Sequence, residues 1–457
     1  MEMVTPSINL NNAIHNLLSL DHLPHIAAIM ITLTAIYFSY RPKKLYILDF
    51  SCYQGPDFCR APVSTYLEHY EISGQFDQDN IKFQAKILER SGLGNEPCVP
   101  PGIKVLPPDL SFNASLKEVE DVLFTATEDV LTKNKVNPKT IDILITNCSL
   151  FCPTPSMSSM VINRFGFRSN VMCFSLSGMG CSAGILSVSM ARDLLKVHKN
   201  SVALVLSMEA VTVGGYEGKV KSMLLANCLF RMGGAAILLS NRKKDKKTAK
   251  YVLKELVHTN LGSDDKSYKC IFQQPDEEGI LGVSLSRDIL QVAGNALMMN
   301  LSSLAPKVLP YKEKFKYGWF VIKRKYWGML GKKKLSIPIP DFRTCFGHFC
   351  IHAGGRAMIE AIEENLQLRE EEVEASKMAL YRFGNTSSSS IWYALCYLEA
   401  KGRVKRGDKV WQVAFGSGFM CNSAVWECVS DIDSTIKNAW SDRIHLYPVK
   451  VPDVLDH

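Results

Sequence analysis

A layered α/β fold with a doubled rhythm is what this sequence predicts, behind a hydrophobic N-terminal segment. Three observations carry that expectation. Near-continuous apolar runs of strand length recur at Ile141–Cys148, Ser201–Met208 and Ala235–Ser240, the pattern of strands that helices bury on both faces. Helical repeats lie between such runs, clearest over Leu116–Lys133, where Val119, Val122, Leu123, Ala126 and Val130 recur at the helical period. The alternation then returns in the second half: a helix after Gly355, a strand near Met378–Arg382, a helix after Ser390 and a strand over Val410–Phe415. The charged stretch Arg242–Lys250 reads as the join. It divides the chain into an N-terminal segment 1–44, a first half 45–245 and a second half 246–457.

The 457 residues are 47% hydrophobic and 21% charged, ordinary values for a globular chain with a large core. They exclude a disordered tail, a collagen-like repeat and a polytopic transporter. Lys and Arg total 53 against 45 acidic residues, a net charge of +8. Over this length the excess does not mark a nucleic-acid binder, but it suits anionic ligands or membrane surfaces. The 14 cysteines fall in no Cys-x-x-Cys pair, and several, such as Cys148, Cys228 and Cys396, sit in apolar runs. They read as thiols of a reducing compartment.

From the N-terminus, Leu23–Tyr40 carries no acidic or basic side chain and approaches the roughly 20 apolar residues a helix needs to cross a bilayer. Arg41, Lys43 and Lys44 follow it, which under the positive-inside rule keeps the rest of the chain cytosolic. The segment is expected to be a membrane anchor, with a buried or interfacial helix as the other reading. Leu45–Cys52 reads as a strand. Gly92–Gly102, with three prolines, reads as a loop. Lys312–Lys334 holds nine basic residues and one acid, interleaved with Phe315, Trp319, Tyr326 and other aromatics. That mixture suits a membrane interface or a solvated insert.

Four glycine- or serine-marked stretches could carry chemistry. Cys181 lies in SLSGMGCSAG ahead of an apolar helix. A sulfur aimed at a helix N-terminus is stabilised as thiolate, and the expectation is a lowered thiol pKa; the alternative is a small residue packing a tight turn. In CFGHFCIHAGG, strand alternation would put His348, Cys350 and His352 on one face, open to a metal reading with Cys345. The Gly354–Gly355 pair instead suggests a catalytic turn, with His352 held neutral by a helix dipole and able to donate to a carbonyl. Asn385, in RFGNTSSSS, is either a helix cap or an uncharged donor in a site. Gly416, Ser417 and Gly418 follow a strand and can present backbone N–H groups to an anion or simply turn a hairpin.

Cysteine, histidine and asparagine in that chain order, each at a glycine-marked turn, resemble the plant 3-ketoacyl-CoA synthases, which condense acyl chains in very-long-chain fatty acid elongation. The resemblance runs from about Leu45 to Pro452 and includes LDFSCY, NCSLFCPTPSMSSMVIN, GMGCSAG, HFCIHAGGRA, RFGNTSSSSIWY and FGSGFMCNSAVW. It implies a duplicated, thiolase-like αβαβα fold, usually dimeric. It implies Cys181 as the nucleophile that takes an acyl group from acyl-CoA, and His352 and Asn385 as the pair that holds the malonyl-CoA thioester. His348 and His258 match further histidines of the family and are expected to position the others. The Gly416–Gly418 loop would supply an oxyanion N–H.

The resemblance further implies no cofactor and no metal. The expected place is the endoplasmic reticulum membrane with the catalytic part facing the cytosol, beside other elongase subunits, with no nucleic-acid partner. The chain departs from the family pattern at Tyr381, at Ser175–Gly180 and over Ser207–Gly218. Those departures leave two other readings: a weakly active homologue that scaffolds the elongase, or a polyketide-type synthase with other starters.

Overall fold

Alternate residues of single strands belong to different hydrophobic cores, and this explains the layering. The computed structural model describes residues 27–32, 44–329 and 340–452. Its strands are β1 (Tyr46–Cys52), β2 (Ile143–Asn147), β3 (Met172–Leu176), β4 (Val202–Met208), β5 (Gly234–Ser240), β6 (Tyr251–Asn260), β7 (Ile271–Pro275), β8 (Leu281–Leu285), β9 (His348–Ile351), β10 (Lys409–Gly416) and β11 (Met420–Cys428). The helices that matter most are α1 (Phe112–Lys133), α2 (Ala183–Val197), α3 (Ile289–Val308), α4 (Tyr311–Met329), α5 (Arg356–Leu366), α6 (Glu370–Phe383) and α7 (Ser390–Ala400).

On β4, Val202, Leu204 and Leu206 pack with α1, while Ala203 and Val205 point the other way onto α2. On β10, Trp411 and Val413 pack toward α3 and α5, while Val410 and Ala414 share the core of α2 and α7. A period of two on each strand therefore separates three stacked cores: helix, strand, helix, strand, helix. The shared middle core explains why α7 is apolar nearly all round, with every residue from Ser390 to Glu399 buried.

The strands run in the order β3-β2-β4-β5-β1-β6-β11-β10-β9. The β2–β3, β2–β4 and β9–β10 pairs are parallel and the others antiparallel. β1 bridges the two groups, pairing fully with β5 and through Tyr46 and Ile47 with β6. Residues 45–457 form one compact unit, so the expected boundary at 245/246 crosses paired strands and a common core. Residues 1–44 cluster separately, and of these residues 27–32 are helical. Most of Leu23–Tyr40, together with Arg41 and Lys43, lies outside the described residues. Among the described residues no helix is long and apolar enough to cross a membrane.

The expected strands at Leu45–Cys52, Ile141–Cys148, Ser201–Met208, Ala235–Ser240 and Val410–Phe415 are present, each within one or two residues. The strand expected near Met378–Arg382 is not: those residues form the last turns of α6. Three acids, Glu370–Glu372, favour the helix N-terminus, and Glu372 closes the first turn by accepting from the Arg369 N–H at 2.7 Å. Val373, Ser376 and Leu380 continue the buried helical stripe. A five-residue window at its end shows only an apolar run, which periodicity cannot assign.

Candidate active site

Four chain segments converge on one mostly apolar cavity of about 660 Å³, lined among others by Cys181, His352, Asn385, Ser417 and Gly418. The volume is in the range of a small-molecule site. Cys181 stands in a single turn, Gly180–Ser182, between β3 and α2. Gly180 has φ +60°, and a Cβ there would lie 2.4 Å from the Ser417 backbone nitrogen. Only glycine lets the cysteine turn press against the β10–β11 loop. Ser417 returns the contact, its Oγ donating to the Gly178 carbonyl at 3.1 Å.

His352 follows β9 and is 4% exposed. Its backbone N–H donates to Val413 O at 2.9 Å, which extends the β9–β10 ladder to the site. Its Nδ1 lies 2.6 Å from Ser390 Oγ. Burial lowers its pKa to about 4, so the imidazole is neutral near pH 7 through desolvation rather than through the expected helix dipole. A hydroxyl can donate or accept. Ser390 therefore supports a ring with Nε2 free to take a proton, or one with Nε2–H as a donor.

Asn385 follows Gly384, whose φ is +73° and where a Cβ would sit 2.4 Å from Arg231 Cγ. The asparagine backbone is bound on both sides: its N–H donates to Leu229 O at 3.2 Å, and its carbonyl accepts from Arg231 N at 3.0 Å. Its Oδ1 accepts from Ser387 N at 2.9 Å and its Nδ2 donates to Gly354 O at 3.2 Å. The amide is fixed with its nitrogen on the His352 side, which is more than a helix cap requires.

Two residues that the sequence reading passed over complete the geometry. Ser387 Oγ lies 3.3 Å from Cys181 Sγ and 3.1 Å from Glu209 Oε2, so one hydroxyl hydrogen is offered to two acceptors. Glu209 is fully buried; its Oε1 accepts from Ser149 N and Leu150 N, both at 2.9 Å, and from Cys148 Sγ at 3.2 Å. Burial pushes its carboxyl pKa upward against those donors. The Cys181 thiol is pushed up to about 12, first by burial and further by Glu209, with Ser387 opposing. The expected low-pKa thiolate is thus corrected: desolvation outweighs the helix terminus. A signal for Glu209 was present, since a carboxylate directly after the apolar run Ser201–Met208 stands at the carboxyl end of a buried strand, where α/β folds bind ligands.

His348 and His258 do not line the cavity. His348 Nε2 lies 3.0 Å from Asp408 Oδ2. His258 lies between Asn422 Oδ1 at 3.0 Å and Ser189 Oγ at 2.8 Å. Neither residue is part of the cavity lining, so an effect of either on the site passes through its neighbours. Ser417 and Gly418 border the cavity, whereas Gly416 is not part of its lining. Of the departures, Ser207–Gly218 borders the cavity through Ala210, Val211, Gly214 and Tyr216, and Ser175–Gly180 through Gly178 and Gly180, while Tyr381 stands outside it.

The layered α/β fold, with a cysteine, a neutral histidine and an asparagine amide on one mostly apolar cavity, is that of the thiolase-like condensing enzymes. Solved structures with this fold include the C-terminal type III polyketide synthase domain of Steely1 from Dictyostelium (TM-score 0.67, 17% identity, 85% of this chain and all of that one). A fungal type III polyketide synthase, ORAS, matches with TM-score 0.66 at 19% identity over 84% of this chain and 99% of its own. The family model for FAE1/Type III polyketide synthase-like protein matches residues 37–326, and that for the 3-Oxoacyl-[acyl-carrier-protein (ACP)] synthase III C terminal matches residues 346–428. Among curated relatives, Arabidopsis thaliana 3-ketoacyl-CoA synthase 7 is 57% identical over 93% of this chain and 91% of its own length. Arabidopsis 3-ketoacyl-CoA synthase 5 is 50% identical over 97% and 89%. The chain belongs to the 3-ketoacyl-CoA synthase family.

Proposed function

We propose that the protein condenses a long-chain acyl-CoA with malonyl-CoA to give a 3-oxoacyl-CoA, carbon dioxide and free CoA, as a step in very-long-chain fatty acid synthesis. The observation that carries this is the convergence of Cys181, His352 and Asn385, from three distant segments, on a single mostly apolar cavity. In the first step the Cys181 sulfur attacks the acyl thioester carbon. A new C–S bond forms as the C–S bond to CoA breaks, and the Cys181 proton, accepted at His352 Nε2, leaves with CoA. In the second step the malonyl C–C bond to its carboxylate breaks, and the electron pair is held as an enolate while carbon dioxide departs. His352 Nε2–H and Asn385 Nδ2–H donate to the enolate oxygen. The enolate carbon then attacks the acyl-enzyme carbonyl and expels Cys181 as a thiolate, which takes a proton from solvent to restore the thiol. Ser390 serves both steps because it accepts either histidine tautomer.

The same reading makes residues 23–40 an anchor in the endoplasmic reticulum membrane, with the catalytic unit on the cytosolic side, in a homodimer among other elongase subunits. A membrane-bound substrate chain motivates that placement. The test is a membrane-fraction assay with radiolabelled malonyl-CoA and a ladder of saturated acyl-CoA primers, with wild type beside Cys181→Ala. Label in elongated products with wild type alone supports condensation. Equal incorporation by Cys181→Ala overturns it, and no incorporation on any primer favours a scaffold.

A further inference from the structure

The amphipathic helix α4 exposes an aromatic stripe that no other function uses. Tyr311 is 89% exposed, Phe315 79%, Trp319 62%, Ile322 64% and Tyr326 59%. At about 100° per residue these five positions fall within an arc of about 80°. Such exposure of large apolar side chains on one helix face marks a binding surface. Lys312, Lys316 and Lys323 border one edge of the arc and Lys314 the other, while Glu313 falls on the far side with half-buried Phe320. An apolar stripe with three lysines along one edge and Lys314 at the other is the arrangement of a helix lying in a lipid headgroup layer, where aromatic rings sit at the interface and lysine stems reach out to phosphates.

The charge distribution identifies the occupant. Residues 312–334 hold nine basic side chains and one acid, a net +8, equal to the formal charge of the whole chain. The remaining sequence is neutral overall. A protein core or a second copy of this neutral body offers no reason to gather the entire excess within one short stretch of sequence; an anionic lipid surface does, because each basic residue near the headgroups adds to the attraction. We infer that α4 is a monotopic membrane foot that docks the catalytic unit onto anionic lipid, separately from any anchor at residues 23–40.

The test uses the full chain reconstituted in nanodiscs of phosphatidylcholine alone or with about a third phosphatidylinositol. Both carry a diazirine-labelled phospholipid, and adducts are mapped by mass spectrometry after irradiation. The expected result is labelling of the 311–329 peptides that rises several-fold with phosphatidylinositol and falls in 0.5 M salt. Labelling there should be lost in the triple variant Phe315→Ser, Trp319→Ser, Tyr326→Ser, with labelling of residues 1–44 unchanged. Adducts confined to residues 1–44 in the wild-type protein overturn the proposal. So does labelling of α4 that is insensitive to lipid charge, or cross-linking of α4 to another polypeptide in its place. Because the wild-type map alone decides, a poorly folding variant does not rescue the idea.

Discussion

With the thiol pushed up to about 12 and the imidazole down to about 4, Cys181 and His352 are both neutral between about pH 5 and 9. Alkylation of Cys181 by iodoacetamide, followed on its own peptide, is expected to rise about tenfold per pH unit up to pH 9 without a plateau. A plateau near neutrality would instead show a preformed ion pair. Glu209→Gln removes the charge that raises the thiol pKa, so the alkylation profile of that variant is expected to move to lower pH. Ser390→Ala takes away the partner of His352 Nδ1 at 2.6 Å and is expected to lower kcat about tenfold or more with little change in KM. His352 also couples stability to pH. Its pKa falls from 6.5 when unfolded to about 4 when folded, so between those values the unfolded chain binds the extra proton and acidification favours unfolding, by up to about 3 kcal/mol. The fall in Tm from pH 7 to pH 4.5 is therefore expected to be shallower in His352→Gln than in wild type.

Single elements place these groups through backbone constraints that substitution can probe. Gly384→Ala meets both a left-handed φ and Arg231 Cγ, and is expected to cost more than about 1 kcal/mol in urea unfolding and to displace Asn385. At this scale the sequence was readable where elements are long or buried: α1 by its period, β4 and β5 by unbroken apolar runs. It failed at Met378–Arg382, where a helix end resembles a short strand. Cys181, His352 and Asn385 stood out because glycines mark their turns, Gly180 and Gly384 adjoining the first and last and Gly354 following His352 by two residues. Ser387 was not, because one hydroxyl in a run of four serines carries no pattern, and its place between Cys181 and Glu209 exists only after folding. The direction of the Cys181 shift was misread for a related reason: a helix terminus is visible in sequence, whereas desolvation is a property of the folded cavity.

Across the whole molecule, the cavity joins the cysteine turn to a wall of aliphatic and aromatic side chains that includes Tyr66, Phe76 and Leu225. Added bulk there competes with the substrate chain for volume. Leu225→Trp is expected to shorten the longest acyl-CoA primer accepted in the ladder assay while sparing shorter ones; an unchanged profile would place the acyl chain elsewhere. The doubled α/β rhythm predicted the stacked layers, but not that β1 would pair with strands on both sides of the expected join. Pairing partners separated by some 200 residues leave no local mark on the chain.

The hydrogen bonds that hold Asn385 between Leu229 and Arg231 have a further consequence for the protein during its own synthesis. A nascent chain that has emerged only as far as β6 already contains Cys181. It lacks the histidine, the asparagine, the Ser387 hydroxyl and the loop that presses on Gly180. On the proposed chemistry, the first half alone is therefore expected to carry the thiol without the other members of its site. Condensation is thus expected to begin only once the body that completes the site is whole.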